Sequence, residues 1–498
     1  MHTLATQVRQ IIRRLKRSPV FTAMTLITLA AGIGATTAIF SVVNGILLKP
    51  LPYPEPERLV GVWHTAPGIG FDVFNMSPAT YYIYREEQRT LEDIGVWSSG
   101  TVTVTGTSEP EQVETLYVTD GTLPILGVQP IRGRWFTPSD DAPKSPETMM
   151  LSYAWWQTRF GGDPGVVGRR ILVNGIAREV IGIMPELFRF LDLRPSIILP
   201  MRFNRNEVFI GNFSYQSIAR LKPGVTIAQV NGDIARMLPM LVQKFSPPPG
   251  MSMKMLEDAR IGPNVRPLKE DVVGDVGRVL WVLMATVGIV LFIACANVAN
   301  LLLVRAEGRQ QELAVRVALG ASRGRIARDL LFETVTLGLL GGVLGLGVAY
   351  AALRLLVLLA PANLPRLDEI SIDPTVLVFT ITTSLLAGLL FGLVPVVKYT
   401  GPRLIAALRA GSRTFSDGRE RHWTRSTLVV VQVGLAMVLL IGSGLMIRTL
   451  YGLRQVQPGF IEPEQLLTFR ISIPAAQVKE PERVARMYHD FIERIGAI

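Results

Sequence analysis

Residues 279–304 read VLWVLMATVGIVLFIACANVANLLLV, twenty-six positions without one charged side chain. A helix of about 20 apolar residues crosses the hydrocarbon core of a bilayer. Four more stretches have the same character: Val20–Leu48, Val335–Ala360, Thr375–Val397 and Thr427–Ile447. None holds an acidic residue, and their only basic one is Arg354, near an end from which it can snorkel to the interface. The 498-residue chain is 49% hydrophobic and 18% charged, with a mean hydropathy of +0.33. Soluble domains carry about 25% charged residues. The sequence therefore predicts a membrane protein with five helical spans.

The net charge of +11 invites a nucleic-acid reading, but its distribution argues against one. Residues 1–20, 305–329 and 398–425 together hold eighteen Arg and Lys against five acids, whereas 49–275 holds 23 basic and 25 acidic residues. Cationic connections alternate with neutral ones in step with the spans, as the positive-inside rule requires. This places 1–20, 305–329 and 398–425 (398–426 as a linker) in the cytoplasm, and 49–275, 361–374 and 448–498 outside. The uncharged run from Ser18 to Leu48 is about twice a signal-peptide h-region, so it reads as an uncleaved anchor. A single cysteine, Cys295, excludes an internal disulfide, and the four scattered histidines show no metal-ligand spacing.

Segment 49–275 is long enough for one or two soluble domains and reads as mixed α/β. Thr101–Gly106, Arg170–Val173 and Ala177–Ile183 alternate like strands, the last two joined across Asn174-Gly175, a hairpin signal. Met76–Arg89 and Ile227–Lys244 have helical patterning, and Pro247–Pro249 break the pattern before the chain returns to the membrane. EPERLVGV from Glu55 is echoed by EPEQLLTF from Glu462, each beyond a span that follows a basic stretch. The echo predicts that a second copy of the first half begins after the fifth span, and that Ile498 ends a truncated chain with two such halves.

Between the second and third spans lies QQELAVRVALGASRGRIARDLLFET, residues 310–334. Glu312 and Arg316 are spaced for a helical ion pair. Gly320 stands where a helix would close in a left-handed cap, and Ser322 where a second helix would start and run into the third span. Leu313, Val315, Val317 and Leu319 add apolar content that a purely topological loop does not need.

This connection resembles the loop between the second and third helices of MacB-type ABC transporter permeases, a group that includes FtsX and the lipoprotein-releasing permeases. Residues 125–141, 151–175, 293–306 and 364–373 are further similar to the acidobacterial duplicated orphan permeases. The segment 329–334, DLLFET, departs from the family's more usual Gln before Leu-Leu and Ser after Glu. The resemblance implies a MacB-like periplasmic core over 49–275, an FtsX-like permease domain over 279–397, and a cytoplasmic coupling helix that docks on a separate ATPase subunit through Glu312, Leu313, Arg316, Leu319, Gly320 and Ala321. It also implies a bacterial inner-membrane location with a cytoplasmic N-terminus, and partners that include the bilayer, a periplasmic adaptor or a second permease copy.

ATP chemistry would need a phosphate loop, and no Gly-x-x-x-x-Gly-Lys-[Ser/Thr] occurs in the chain. No cofactor is expected here; ATP and Mg²⁺ belong to the partner. The run GLLGGVLGLG (338–347) suits close helix packing, with Gly338/Gly342 and Gly341/Gly345 on small-residue faces. Asn297 and Asn300 are expected to hydrogen-bond between helices. Tyr81, Tyr82, Tyr84, Trp155 and Trp156 read as core, and Glu86-Glu87 as solvated. The expected function is permease action in export or efflux; the alternative is an FtsX-type module that regulates envelope enzymes or a sensor kinase.

Overall fold

The structure, a computed structural model, describes residues 18–105, 110–247, 252–307, 322–359, 369–400, 418–454 and 480–497, with isolated positions between them. The chain divides into two compact units, Met1–Lys49 with Asp275–Leu466, and Pro50–Gly274 with Leu467–Ile498.

Among the described residues the first unit holds five helices long and apolar enough to cross a membrane: span 1 (Pro19–Leu48), span 2 (Val276–Glu307), span 3 (Gly324–Leu359), span 4 (Pro374–Val397) and span 5 (Ser426–Gly452). Leu29 and Ile33 of span 1, Val298 of span 2, Leu337 of span 3 and Phe391 of span 4 meet in one core. The Ser322 carbonyl accepts from the amides of Arg325 and Ile326 at 3.0 and 3.3 Å, so one uninterrupted helix runs from the basic connection through span 3. Phe40 stacks on Phe379 with ring centroids 3.8 Å apart, and the hydroxyls of Thr37 and Thr380 lie 3.1 Å apart, fastening span 1 to span 4. No described residue of span 5 is buried, and its Leu428 packs half-buried against the core of the other spans.

The second unit is built on one mixed sheet. Its strands are β1 (Leu59–Ala66), β2 (Phe71–Phe74), β3 (Leu91–Thr105), β4 (Glu111–Val118), β5 (Arg132–Gly133), β6 (Thr148–Leu151), β7 (Arg170–Val173), β8 (Ile176–Ile183), β9 (Ile197–Pro200), β10 (Gln216–Leu221) and β11 (Gly262–Pro267). Their order is β11-β1-β10-β3-β4-β9-β6-β8-β5, with β2 on β1, and β7 on both β3 and β8. Among the described strands only β4–β9 and β6–β8 pair in parallel.

β3, at 15 residues, pairs with β10 at its start and with β4 and β7 beyond, so it lends side chains to three sub-cores, one of them gathered around Trp97, Leu116 and Phe190. One packs the helices Pro78–Glu87 and Ile227–Met237 on β1, β3, β10 and β11. Another packs the helix Tyr153–Phe160 on β4 and β6–β9. The β7–β8 hairpin turns on Asn174 and Gly175, both left-handed at φ 50° and 77°, as the tight turn requires. The expected helix over Ile227–Lys244 is broken: Leu238–Met240 narrows to a 3₁₀ turn around Pro239, which has no amide hydrogen to continue the α ladder.

Candidate functional site

The connection between spans 2 and 3 is the first candidate. Glu312, Leu313, Arg316, Gly320 and Ala321 lie outside the described residues. Val315 and Leu319 are described: the Leu319 amide donates to the Val315 carbonyl at 3.0 Å, one helical turn. Leu319 is 83% exposed and Val315 55%. Two apolar side chains presented this openly lose free energy to water until something covers them.

The helix ends that carry this connection are tied by charge. Arg305, in the last turn of span 2, lies 2.9 Å from Glu333 of span 3, both largely buried. The Arg305 guanidinium also stands over the Phe21 ring of span 1, 4.5 Å from its centroid. Three spans thus meet at one ion pair. Sequence reasoning noted Glu333 only as part of the departing DLLFET segment and missed its role. The available signal was an acid within two turns of an apolar span, which needs a partner.

Span 3 packs through two glycine faces. A Cβ built on Gly338 would lie 2.5 Å from the Ser384 carbonyl, and one on Gly342 would meet the Ser384 side chain, both on span 4. Gly341 faces Leu29, and a Cβ on Gly345 would lie 3.0 Å from the Gly34 amide nitrogen, both on span 1. Helices come this close only where side chains are absent. Gly338→Ala is therefore expected to lower bundle stability by about 1–3 kcal/mol in thermal unfolding in detergent, because a backbone carbonyl cannot step aside. Gly347→Ala, which meets no atom within 4 Å, is the control and should not destabilise. Equal behaviour of the two variants would refute the packing role.

The expected interhelical bonds of Asn297 and Asn300 are absent among the described residues. Asn297 is exposed, and the buried Oδ1 of Asn300 accepts no hydrogen bond there. The two are three positions apart on span 2, and the core-facing stripe runs instead through Cys295, Val298, Ala299 and Leu302.

In the second unit, Tyr81, Tyr84, Trp155 and Trp156 are buried in the core and Tyr82 packs beside them. Glu86 and Glu87 lie at the surface but are not simply solvated: Glu86 pairs with Arg205, and Glu87 accepts from Lys244 at 2.6 Å. A cavity of about 310 Å³ opens between Trp63, Trp97, Leu193 and Asp271, where the Trp63 indole donates to Asp271 at 2.6 Å. No group of three or more potential metal ligands occurs among the described residues.

A MacB-like periplasmic core domain matches residues 22–237, and an FtsX-like permease C-terminal domain matches residues 284–402. The chain is 24% identical over 294 residues to the uncharacterized ABC transporter permease YknZ of Bacillus subtilis, covering 59% of this chain and 68% of that protein. It is 25% identical over 233 residues to the macrolide export ATP-binding/permease protein MacB of Rhodopseudomonas palustris, covering 46% of this chain and 33% of that protein. It therefore spans about two thirds of one relative and about a third of the other. A crystal structure of the periplasmic region of MacB from Actinobacillus actinomycetemcomitans aligns with a TM-score of 0.30 and 13% identity, over 41% of this chain and 90% of that one. With a MacB-like periplasmic core followed by an FtsX-like permease domain, this chain belongs to the MacB/FtsX-type ABC transporter permeases.

Proposed function

We propose that this chain is the permease subunit of an exporter in a bacterial inner membrane, with its N-terminus in the cytoplasm. A separate ATPase docks on residues 312–321, and nucleotide-driven closure of that partner pushes the connection. Span 3, continuous with the connection from Arg323, and spans 1 and 2, joined to it through Arg305, Glu333 and Phe21, carry the movement to the periplasmic core. The periplasmic core is then a two-state element biased from across the membrane, and no water-filled pore through the helices is needed.

The observation that carries this reading is the pair of exposed apolar side chains, Val315 and Leu319, on a basic connection flanked by a buried ion pair. Reversal of charge in Glu312→Arg is expected to reduce stimulation of the co-purifying ATPase at least tenfold while membrane insertion stays intact. Wild-type stimulation by that variant would remove the docking role.

A further inference from the structure

Span 1 does not end on a regular turn. After Val43 the backbone widens into a π-turn over Asn44–Leu48, a form that recurs at functional positions. Two carbonyls of this exit, one inside the π-turn and one just beyond it, are taken by one side chain from the connection between spans 3 and 4. The Arg366 guanidinium donates to the carbonyls of Ile46 and Lys49, each at 3.0 Å, and to the Glu369 carboxylate at 2.6 and 3.1 Å. Arg366 is 5% exposed, and its backbone is held at φ 55°, a left-handed conformation that non-glycine residues seldom adopt. A buried, strained arginine persists only where its surroundings over-determine it.

Two further ties join the same segments. The Lys49 ammonium lies 2.9 Å from the Asp373 carboxylate, and the Asn44 amide donates to the same oxygen at 2.9 Å. The other Asp373 oxygen accepts from the Val376 amide at 2.9 Å, so this aspartate also caps the start of span 4. Gly45 fits flat against the Glu369–Ile370 backbone, where a Cβ would lie 3.1 Å from the Glu369 carbonyl. Charge-assisted hydrogen bonds are the strong ones, and an arginine fork fixes direction as well as distance.

We propose that Arg366, Glu369 and Asp373 form a clasp that makes the exit of span 1, Asn44–Lys49, move as one piece with the start of span 4, and that Arg366 is its positioning residue. The inference rests on the permease reading given above. Lys49 is followed directly by Pro50 and the periplasmic core, so a slack exit would absorb displacement of span 1 as local bending. A clasped exit passes the displacement on.

The test uses the full chain in lipid nanodiscs with its co-purified ATPase. Arg366→Met is expected to raise amide hydrogen exchange across residues 44–49 at least tenfold and to lower ATPase stimulation at least fivefold. Arg366→Lys keeps the charge without the fork and should fall between. Arg354→Met, at an exposed arginine that donates to Tyr350, should change neither readout. If Arg366→Met does not accumulate, Asp373→Asn decides: it keeps an oxygen for the Val376 amide, removes the charge facing Lys49, and should raise exchange at least threefold. Unchanged exchange, or raised exchange with wild-type stimulation, would overturn the clasp. A wild-type chain that stimulates no ATPase would overturn the permease reading together with the clasp's role in it.

Discussion

Glu333→Ala is expected to cost the helical bundle about 3–5 kcal/mol, the range for removing one partner of a buried ion pair. The cost comes less from the lost attraction than from the charge left behind. Arg305 cannot be deprotonated at physiological pH, and its side chain is only 15% exposed. The Phe21 ring and the favourable end of the span 2 helix dipole are among the contacts it keeps, and neither carries the full charge of a carboxylate. Arg305→Met in the Glu333→Met background should recover most of the loss, because removing both charges also removes both desolvation penalties. Thermal unfolding in detergent of the parent, Arg305→Met, Glu333→Met and the double variant closes a double-mutant cycle that measures the coupling directly. A Glu333→Ala variant within about 0.5 kcal/mol of the parent would show that the pair is solvated and does not hold the spans.

What the sequence made legible follows from the range of the interactions involved. The five helices were readable because an uncharged run of about 20 residues has few other uses. The β7–β8 turn was readable because Asn174-Gly175 fits two left-handed positions, and the start of the Arg323–Leu359 helix because Ser322 stands where a cap belongs. Pro239 was visible, but apolar spacing on both sides of it masked the break in the Ile227–Lys244 segment. The rest depends on residues far apart in the chain. β1 pairs with β10 and β11, some 150 to 200 positions away, and no local pattern encodes that choice. Arg305 and Glu333 are separated by the whole connection between spans 2 and 3, and Arg366 reaches carbonyls 317 and 320 positions earlier. Among the described residues Asn297 makes no interhelical bond for a simpler reason, its outward face, whereas the Oδ1 of Asn300 is buried. Polar character predicts a need for partners, whereas helical phase decides which face meets them.

Two groups of the periplasmic core, the buried His64 and the half-buried Asp141, should give acid responses of opposite sign. His64 is fully buried: its Nδ1 faces the Asn75 carbonyl at 3.2 Å, so Nδ1 carries the proton, and Nε2 accepts from the Tyr84 hydroxyl at 2.7 Å. Burial pushes its pKa from 6.5 down to about 4, against the opposing pull of the Asn75 carbonyl. As pH falls from 6.5, the unfolded chain therefore takes the proton first, and stability present above 6.5 is lost down to about pH 4. One pKa unit is about 1.4 kcal/mol, which makes the loss about 3 kcal/mol. Asp141 behaves in reverse. Burial, aided by the charge of Asp120, raises its pKa from 3.8 to about 6, although the backbone amides of Arg202 and Asp120 donate to it at 2.6 and 3.2 Å. Here the folded chain takes the proton first, so stability lost as pH rises through 6 is regained on acidification towards 3.8, again by about 3 kcal/mol. The two terms oppose each other between about pH 4 and 6 and largely cancel in the parent. Difference curves separate them: His64→Gln should be more stable than the parent in acid relative to pH 7, while Asp141→Asn should be more stable relative to the parent at pH 7 than at pH 4. The midpoint of periplasmic-core unfolding in the full chain, followed by tryptophan fluorescence in urea across this range, is the measurement. Parallel curves for parent and His64→Gln would mean that water reaches the imidazole and that its burial costs nothing.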